Sequence, residues 1–332
     1  MKKKLAAVSF SALLAIVASS TTSGFARWNT KYWTNEKNFN RISSFNVSEN
    51  LPEGSKSTTK TSSEVVTASD DGKTLMYTDS DLGVVGLVDI SDPAKPKALG
   101  IVELEAEPTG IAASGNNAYI GSNTSESYTS PSGALVQYNL ETRKKIKQCN
   151  VGGQPDSVFV SPDGSFVAVA IENERDEEYK DGQIPQLDED GKQINPAGYV
   201  ALIKLNKKGN LKCSSIKKVD LTGLASIASS DPEPEFVAIN DLGETVVSLQ
   251  ENNHLAVIDK DGNVISNFTA GIVKQMAGMD TKKDGAHKFK KKLKNVRREP
   301  DGITWIDNDH FATANEGDYK HKAPGQAKRG GS

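Results

Sequence analysis

The sequence predicts an all-β protein, a β-propeller of four-stranded antiparallel blades of the YVTN or WD40-like kind. Three observations carry the prediction: a strand, tight turn, strand unit recurs five times, second strand pairs lie between the copies, and the copies stand at blade-like intervals. The first copy runs Ser63-Glu64-Val65-Val66, turns at Asp71-Gly72 and returns through Leu75-Met76-Tyr77. The second begins at Pro108-Thr109-Gly110-Ile111, the third at Pro155-Asp156-Ser157-Val158, the fourth at Pro234-Glu235-Phe236-Val237 and the fifth at Pro300-Asp301-Gly302-Ile303. Each alternates β-branched or aromatic residues with polar ones on either side of a turn, which is the period of a strand. The outer pairs are expected at 84–90 with 98–104, 134–140 with 144–151, and 255–259 with 264–268. From Pro108 to Pro155 the repeat is 47 residues, within the roughly 40–50 of propeller blades. A β-sandwich also has many short strands, but its strands do not repeat as similar four-strand units.

The ends carry different signals. Lys2, Lys3 and Lys4, an apolar run over 5–17 and the small residues Gly24 and Ala26 read as a signal peptide over 1–26. Its apolar core is shorter than the roughly 20 residues of a spanning helix, and no stretch of the mature chain is long and apolar enough to cross a membrane. The destination is the periplasm or exterior of a bacterium. Residues 27–62 form an N-terminal segment in which 41–48 is expected as a strand able to close a propeller. Residues 63–332 make four blades and part of a fifth, and the absence of an outer pair after 311–314 predicts that the chain is the N-terminal portion of a longer wheel. Cys149 and Cys213 lie in a chain bound for an oxidising compartment, where a bridge is permitted, and pairing depends on whether their strands lie side by side.

Composition excludes some functions. Cleavage after Ala26 removes three lysines and no acid, leaving 37 basic against 43 acidic residues, a net −6. Nucleic acid is therefore not an expected partner. The sequence has no Gly-x-Ser-x-Gly elbow, phosphate-binding P-loop or His-Glu-x-x-His helix, and no catalytic residue can be named. The four histidines lack metal-ligand spacing, and Trp28, Trp33 and Trp305 read as core or edge packing.

What remains is a recurrence of acids. The innermost strand of a blade crosses from one face to the other and the second strand returns, so residues before the first and after the second share a face. Asp156 and Glu172 occupy those places sixteen residues apart, Glu235 and Glu251 repeat the spacing, and Asp301 and Glu316 stand fifteen apart. Asparagine or glutamine flanks the later acids, as in Glu172-Asn173 and Gln250-Glu251-Asn252. Carboxylate and amide oxygens converging on a channel mouth suit Ca²⁺, which takes six to eight oxygen ligands. Alternatively, these acids begin strands and satisfy turn amides. The run 282–298 holds nine lysines and arginines. It is either a solvated mobile loop or an anion-binding element through Arg297 and Arg298. The insertion 175–196, rich in acids, reads as a surface loop.

At Asp231-Pro232-Glu233-Pro234-Glu235-Phe236-Val237-Ala238-Ile239 and Arg298-Glu299-Pro300-Asp301-Gly302-Ile303, followed by Ala314-Asn315-Glu316-Gly317-Asp318-Tyr319, the chain resembles the choice-of-anchor I proteins. That family carries the labels esterase-like activity of phytase and alkaline phosphatase-like. The resemblance implies an extracytoplasmic propeller and calcium-assisted hydrolysis of a phosphorylated small molecule. The competing expectation is a non-catalytic envelope or surface propeller that binds a protein or polymer.

Overall fold

Hydrogen bonding sorts the chain into sheets that repeat one plan. The structure, a computed structural model, describes residues 41–55, 59–176, 179–181, 186–279 and 290–316. The first blade is β1 (Ser63–Ala68), β2 (Thr74–Asp79), β3 (Val84–Asp89) and β4 (Lys97–Glu103). The second is β5 (Glu107–Ser114), β6 (Asn117–Asn123), β7 (Gly133–Asn139) and β8 (Lys145–Asn150). The third is β9 (Pro155–Val160), β10 (Phe166–Ile171), β11 (Tyr199–Lys204) and β12 (Lys217–Asp220), and the fourth β13 (Pro234–Ile239), β14 (Thr245–Leu249), β15 (His254–Ile258) and β16 (Val264–Thr269). In all four sheets the strands pair antiparallel in chain order. A two-stranded hairpin, β17 (Ile272–Met279) with β18 (Lys291–Arg297), precedes the pair β19 (Pro300–Trp305) and β20 (Phe311–Asn315).

The core lies between successive sheets, each packed on the next, which is the plan of a propeller, whereas a sandwich has one core between two sheets. One apolar cluster joins the first two blades around Met76, Leu87 and Ile120. Another joins the second and third around Leu135, Val158 and Val169. A third unites Ala168, Val200, Val237 and Val247 of the next pair, and a fourth unites Val246 and Val257 with Ile303, Trp305 and Phe311. The second, third and fourth sheets thus each contribute to two clusters, and the strands β10 and β14, in the middle of that packing, are buried at every position. The inner strands β1, β5, β9, β13 and β19 pack in succession around an axis. They approach closely there: a Cβ on Gly110 would stand 2.3 Å from the carbonyl oxygen of Asp156, so only glycine fits.

Two sequence expectations are corrected. Residues 41–46 form no strand and 47–50 form a 3₁₀ turn capped by the Asn46 side chain on Ser48 N–H. Asn50 then donates to Tyr77 Oη at 3.0 Å and accepts from Gly100 N–H at 2.9 Å, fastening this segment to the first blade's flank. Local capping by Asn46 outcompetes the extended conformation expected there. The basic run is not a loop over its second half, because Lys291–Arg297 is β18, paired with β17 from Ile272↔Arg297 to Met279↔Lys291. Cross-strand hydrogen bonds hold a charged segment that composition alone reads as solvated. Residues 1–40, the tryptophans Trp28 and Trp33, Glu177, Glu178, and 280–289 and 317–332 lie outside the described residues.

Cys149 and Cys213 are bonded, with their Cα atoms 5.2 Å apart. The bridge joins β8 to the turn Cys213–Ser215 after β11, so it crosses from the second blade to the third. Beside it Gln137, fully buried, donates to Asn117 Oδ1 at 2.8 Å and accepts from Leu211 N–H at 3.1 Å.

Candidate functional site

The acids sit where they do because every inner hairpin is irregular at the same place. Between Pro155 and Val158, β9 spends three steps against two on β10; Pro234 to Val237 and Pro300 to Ile303 do the same against their partners, as does Ser63 to Val66. The second blade shifts at Pro108 to Gly110. Each is a β-bulge, and the residues caught in it are Glu64, Thr109, Asp156, Glu235 and Asp301. A bulge re-aims a side chain and frees a backbone N–H from the ladder. In two blades a hydroxyl from the second strand takes that N–H: Thr78 Oγ1 from Val65 at 3.1 Å and Ser248 Oγ from Phe236 at 3.0 Å. Proline at the first strand position supplies a residue with no N–H to lose.

The amides that flank the later acids have a different use. Asn173 Oδ1 accepts from Gln154 N–H at 2.9 Å, Asn252 Oδ1 from Glu233 N–H at 2.9 Å, and Asn253 Oδ1 from Glu299 N–H at 3.0 Å. Asp79 does the same for Ser62 N–H at 2.9 Å. Side chains at the end of β2 and just after β10 and β14 therefore pin the chain just before an inner strand. Asn173 and Asn253 hold φ of 54° and 49°, left-handed values that asparagine tolerates best after glycine. Their oxygens are committed to backbone, which removes Asn173 and Asn252 from the expected set of cation ligands.

The structure brings Asp156, Glu172, Glu235, Glu251 and Asp301 into electrostatic reach of one another at one end of the axis. Burial, then the charges of Asp301, Glu174 and Glu64, push Asp156 up to about 7. Burial followed by Asp156 and Glu174 raises Glu172 well above the usual carboxylate range, and burial followed by Glu172 and Asp156 does so for Glu235. Asp301 is raised by burial. Glu316 stands apart: it is exposed and accepts from Gln250 Nε2 at 3.2 Å.

Sequence reasoning missed the centre of the charge arrangement, Arg175. Its side chain is 2% exposed, and its Nε lies 3.0 Å from both Asp231 Oδ2 and Glu233 Oε1, while Nη1 meets Glu251 Oε2 at 2.5 Å. The Arg175 N–H also donates to Glu233 Oε1, and Nη2 donates to the Asp231 carbonyl. The signal was present in the acid-proline alternation Asp231-Pro232-Glu233-Pro234-Glu235, but nothing in it identifies a cation 56 residues earlier as the partner. Burial and the neighbouring Glu251 hold Glu233 well above its ordinary value, with Arg175 opposing. Burial raises Asp231 too, again with Arg175 opposing, so one guanidinium offsets the crowding of these carboxylates.

Calcium does not fit this arrangement as built. Among the described residues no three acids come together closely enough to share an ion. Glu251 is held by Arg175, and the amide oxygens are spent on backbone. Arg297 pairs with Glu299 at 3.5 Å, and Arg298 donates to the Ala270 carbonyl at 2.8 Å, so both lean toward structural partners.

Below the acid-lined mouth lies a cavity of about 280 Å³ between the inner strands. Val65, Ile111, Val158, Phe236, Val237 and Ile303 are among its walls, and Asp156 is the one charged residue among its described lining.

The family model for the choice-of-anchor I domain matches residues 64–332, which takes in every blade and the acid-bearing bulges. The chain belongs to the choice-of-anchor I family. Membership points to a cell-surface or secreted propeller; the phytase-like label is not part of what the match supports. No curated protein matches this choice-of-anchor I chain. Solved structures similar to it include a putative 6-phosphogluconolactonase from Bacteroides uniformis, at 17% identity, covering 62% of this chain and 53% of that one with a TM-score of 0.42. The periplasmic gluconolactonase of Pseudomonas aeruginosa is also 17% identical, with coverages of 63% and 53% and a TM-score of 0.41. A catalytically inactive virginiamycin B lyase from Staphylococcus aureus with quinupristin is 12% identical, with coverages of 78% and 86% and a TM-score of 0.44. The chain spans about half the length of the two lactonase structures. Likeness this distant carries no argument about function.

A carboxylate pushed up on folding has a stability cost that depends on pH. Asp156 binds its proton more tightly folded than unfolded, so its contribution is fully favourable below about 4 and is lost as pH rises through about 7. Asp156→Asn should therefore stabilise the fold at pH 8 by about 1–3 kcal/mol, discounted for partial solvent screening, and by almost nothing at pH 4. Urea unfolding at both pH values checks this. An equal gain at both would mean that the carboxylate's charge is not the cause.

Proposed function

We propose that this protein is an exported cell-surface or secreted binding propeller that captures a cationic group, an organic ammonium, at its acid-lined axial mouth. One observation carries the reading. The carboxylates of Asp156, Glu172 and Glu235 are partly buried, repel one another, and have no hydrogen-bond or ion-pair partner among the described residues. Arg175 makes its ion pairs with Asp231, Glu233 and Glu251, and only eases the charge of Glu172 from a distance. Crowded carboxylates of this kind are relieved by a proton or an arriving cation, and an ammonium, unlike Ca²⁺, needs only one or two of them. The signal-peptide pattern, a disulfide and the family all support export.

Phosphoester hydrolysis is the rival. Among the described residues, a phosphoryl dianion would meet a ring of carboxylates with no counter-ion placed for it, which disfavours its binding unless a metal intervenes. Titration calorimetry of the full chain with spermidine, and separately with CaCl₂, should show spermidine binding that falls at least tenfold in a Glu172→Gln, Glu235→Gln variant. The same protein should leave p-nitrophenyl phosphate unhydrolysed with or without Ca²⁺. Calcium-dependent turnover that disappears in Glu235→Ala with Asp301→Ala would replace this reading with the hydrolase.

A further inference from the structure

The cavity under the mouth narrows the class of ligand. Its walls are mainly the apolar side chains of the inner strands, yet Asp156 lines it as well, and so does Thr109 from the one bulge without an acid. The Thr109 hydroxyl is buried, with no protein hydrogen-bond partner among the described residues. A buried hydroxyl gains from a donor or acceptor placed beside it, and apolar walls gain from an apolar group packed against them. The Asp156 carboxylate likewise has no hydrogen-bond or ion-pair partner among the described residues. The volume, about 280 Å³, stands at the small end of ligand sites, which begin at roughly 300 Å³. Charge at one end and apolar wall along the rest is the complement of an amphipathic cation.

We propose that the cavity binds a primary amine carrying a short apolar tail, with its ammonium on Asp156 and the Thr109 hydroxyl and its tail between the inner strands against Phe236 and Ile303. This rests on the cation-binding reading and specifies its ligand. The tail leaves water for apolar surface, so affinity should grow by about fourfold for each added methylene until the cavity is full. An ammonium supplies three donors, enough for the carboxylate and the hydroxyl together.

Calorimetry on the full chain with methylamine, butylamine, hexylamine and hexanol tests it. Hexylamine should bind about fifteenfold more tightly than butylamine, two methylenes at about fourfold each, and at least tenfold more tightly than hexanol or methylamine. Asp156→Asn should remove most of the preference for hexylamine over hexanol. Val66, which lines the cavity from an exposed position, offers a second variant. Val66→Trp should fill the space and bring hexylamine down to the affinity of methylamine, with thermal unfolding confirming that the fold is kept. The tail-length series on the natural protein decides the matter even if that variant does not fold. Affinity independent of tail length, hexanol equal to hexylamine, or no effect of Asp156→Asn would overturn the proposal. If spermidine still bound through Glu172 and Glu235 in that case, the acid-mouth reading would survive; if no amine bound at all, both would fall.

Discussion

Arg175→Met is expected to destabilise the protein by about 3–5 kcal/mol at pH 7, the cost of leaving buried carboxylates without their counter-ion. Asp231 and Glu233 are each 1% exposed, and burial already pushes both above the ordinary carboxylate range while Arg175 pulls them down. Removing the guanidinium leaves only the upward push. The loss should shrink as pH falls toward 4, because protonated acids need no cation, and adding Asp231→Asn and Glu233→Gln to Arg175→Met should restore most of the stability at pH 7. Urea unfolding across pH 4–8 reads all three. A destabilisation that is unchanged by pH and unrelieved by the added amides would assign Arg175 a packing role alone. Because Arg175 follows β10 of the third blade while its acids belong to the fourth, its loss should also loosen the joint between those blades.

Breaking the disulfide is the second large effect. Cys149 and Cys213 are 64 residues apart, and the loop-closure entropy removed from the unfolded chain by a bridge of that span is worth about 4 kcal/mol. Cys149→Ser with Cys213→Ser should lower stability by that order, and dithiothreitol should lower the natural protein to the same level while leaving the double variant unmoved. An effect of reductant on the double variant, or none on the natural protein, would contradict the assignment. The position explains the size: Cys149 is 1% exposed inside the cluster between the second and third blades, so serine there also buries a hydroxyl.

Much of this architecture is legible in the sequence because a blade is a local object. Its four strands follow one another, its turns are short, and its pattern repeats, so the outer pairs expected at 84–90 with 98–104 and 134–140 with 144–151 match β3 with β4 and β7 with β8 to within one or two residues. The strand expected at 41–48 fails for a reason equally local, the Asn46 cap. The hairpin of β17 and β18 was illegible because charge density at Lys290-Lys291-Lys292 outweighs the weak alternation around it, and pairing with β17 is settled across a connection of eleven residues.

The acids divide along the same line. That Glu64, Asp156, Glu235 and Asp301 occupy one repeat position was determined by the sequence itself, since equivalent residues of similar units take equivalent places. Their common location in a bulge, the commitment of Asn173 and Asn252 to backbone N–H groups, and the capture of Glu251 by Arg175 were decided only by tertiary structure. Pairing partners lie 19 to 76 residues apart, and which carboxylate meets a cation and which is left facing a cavity depends on how neighbouring blades pack. Repetition is written along the chain, whereas burial and counter-ions arise between blades, where no local pattern reaches.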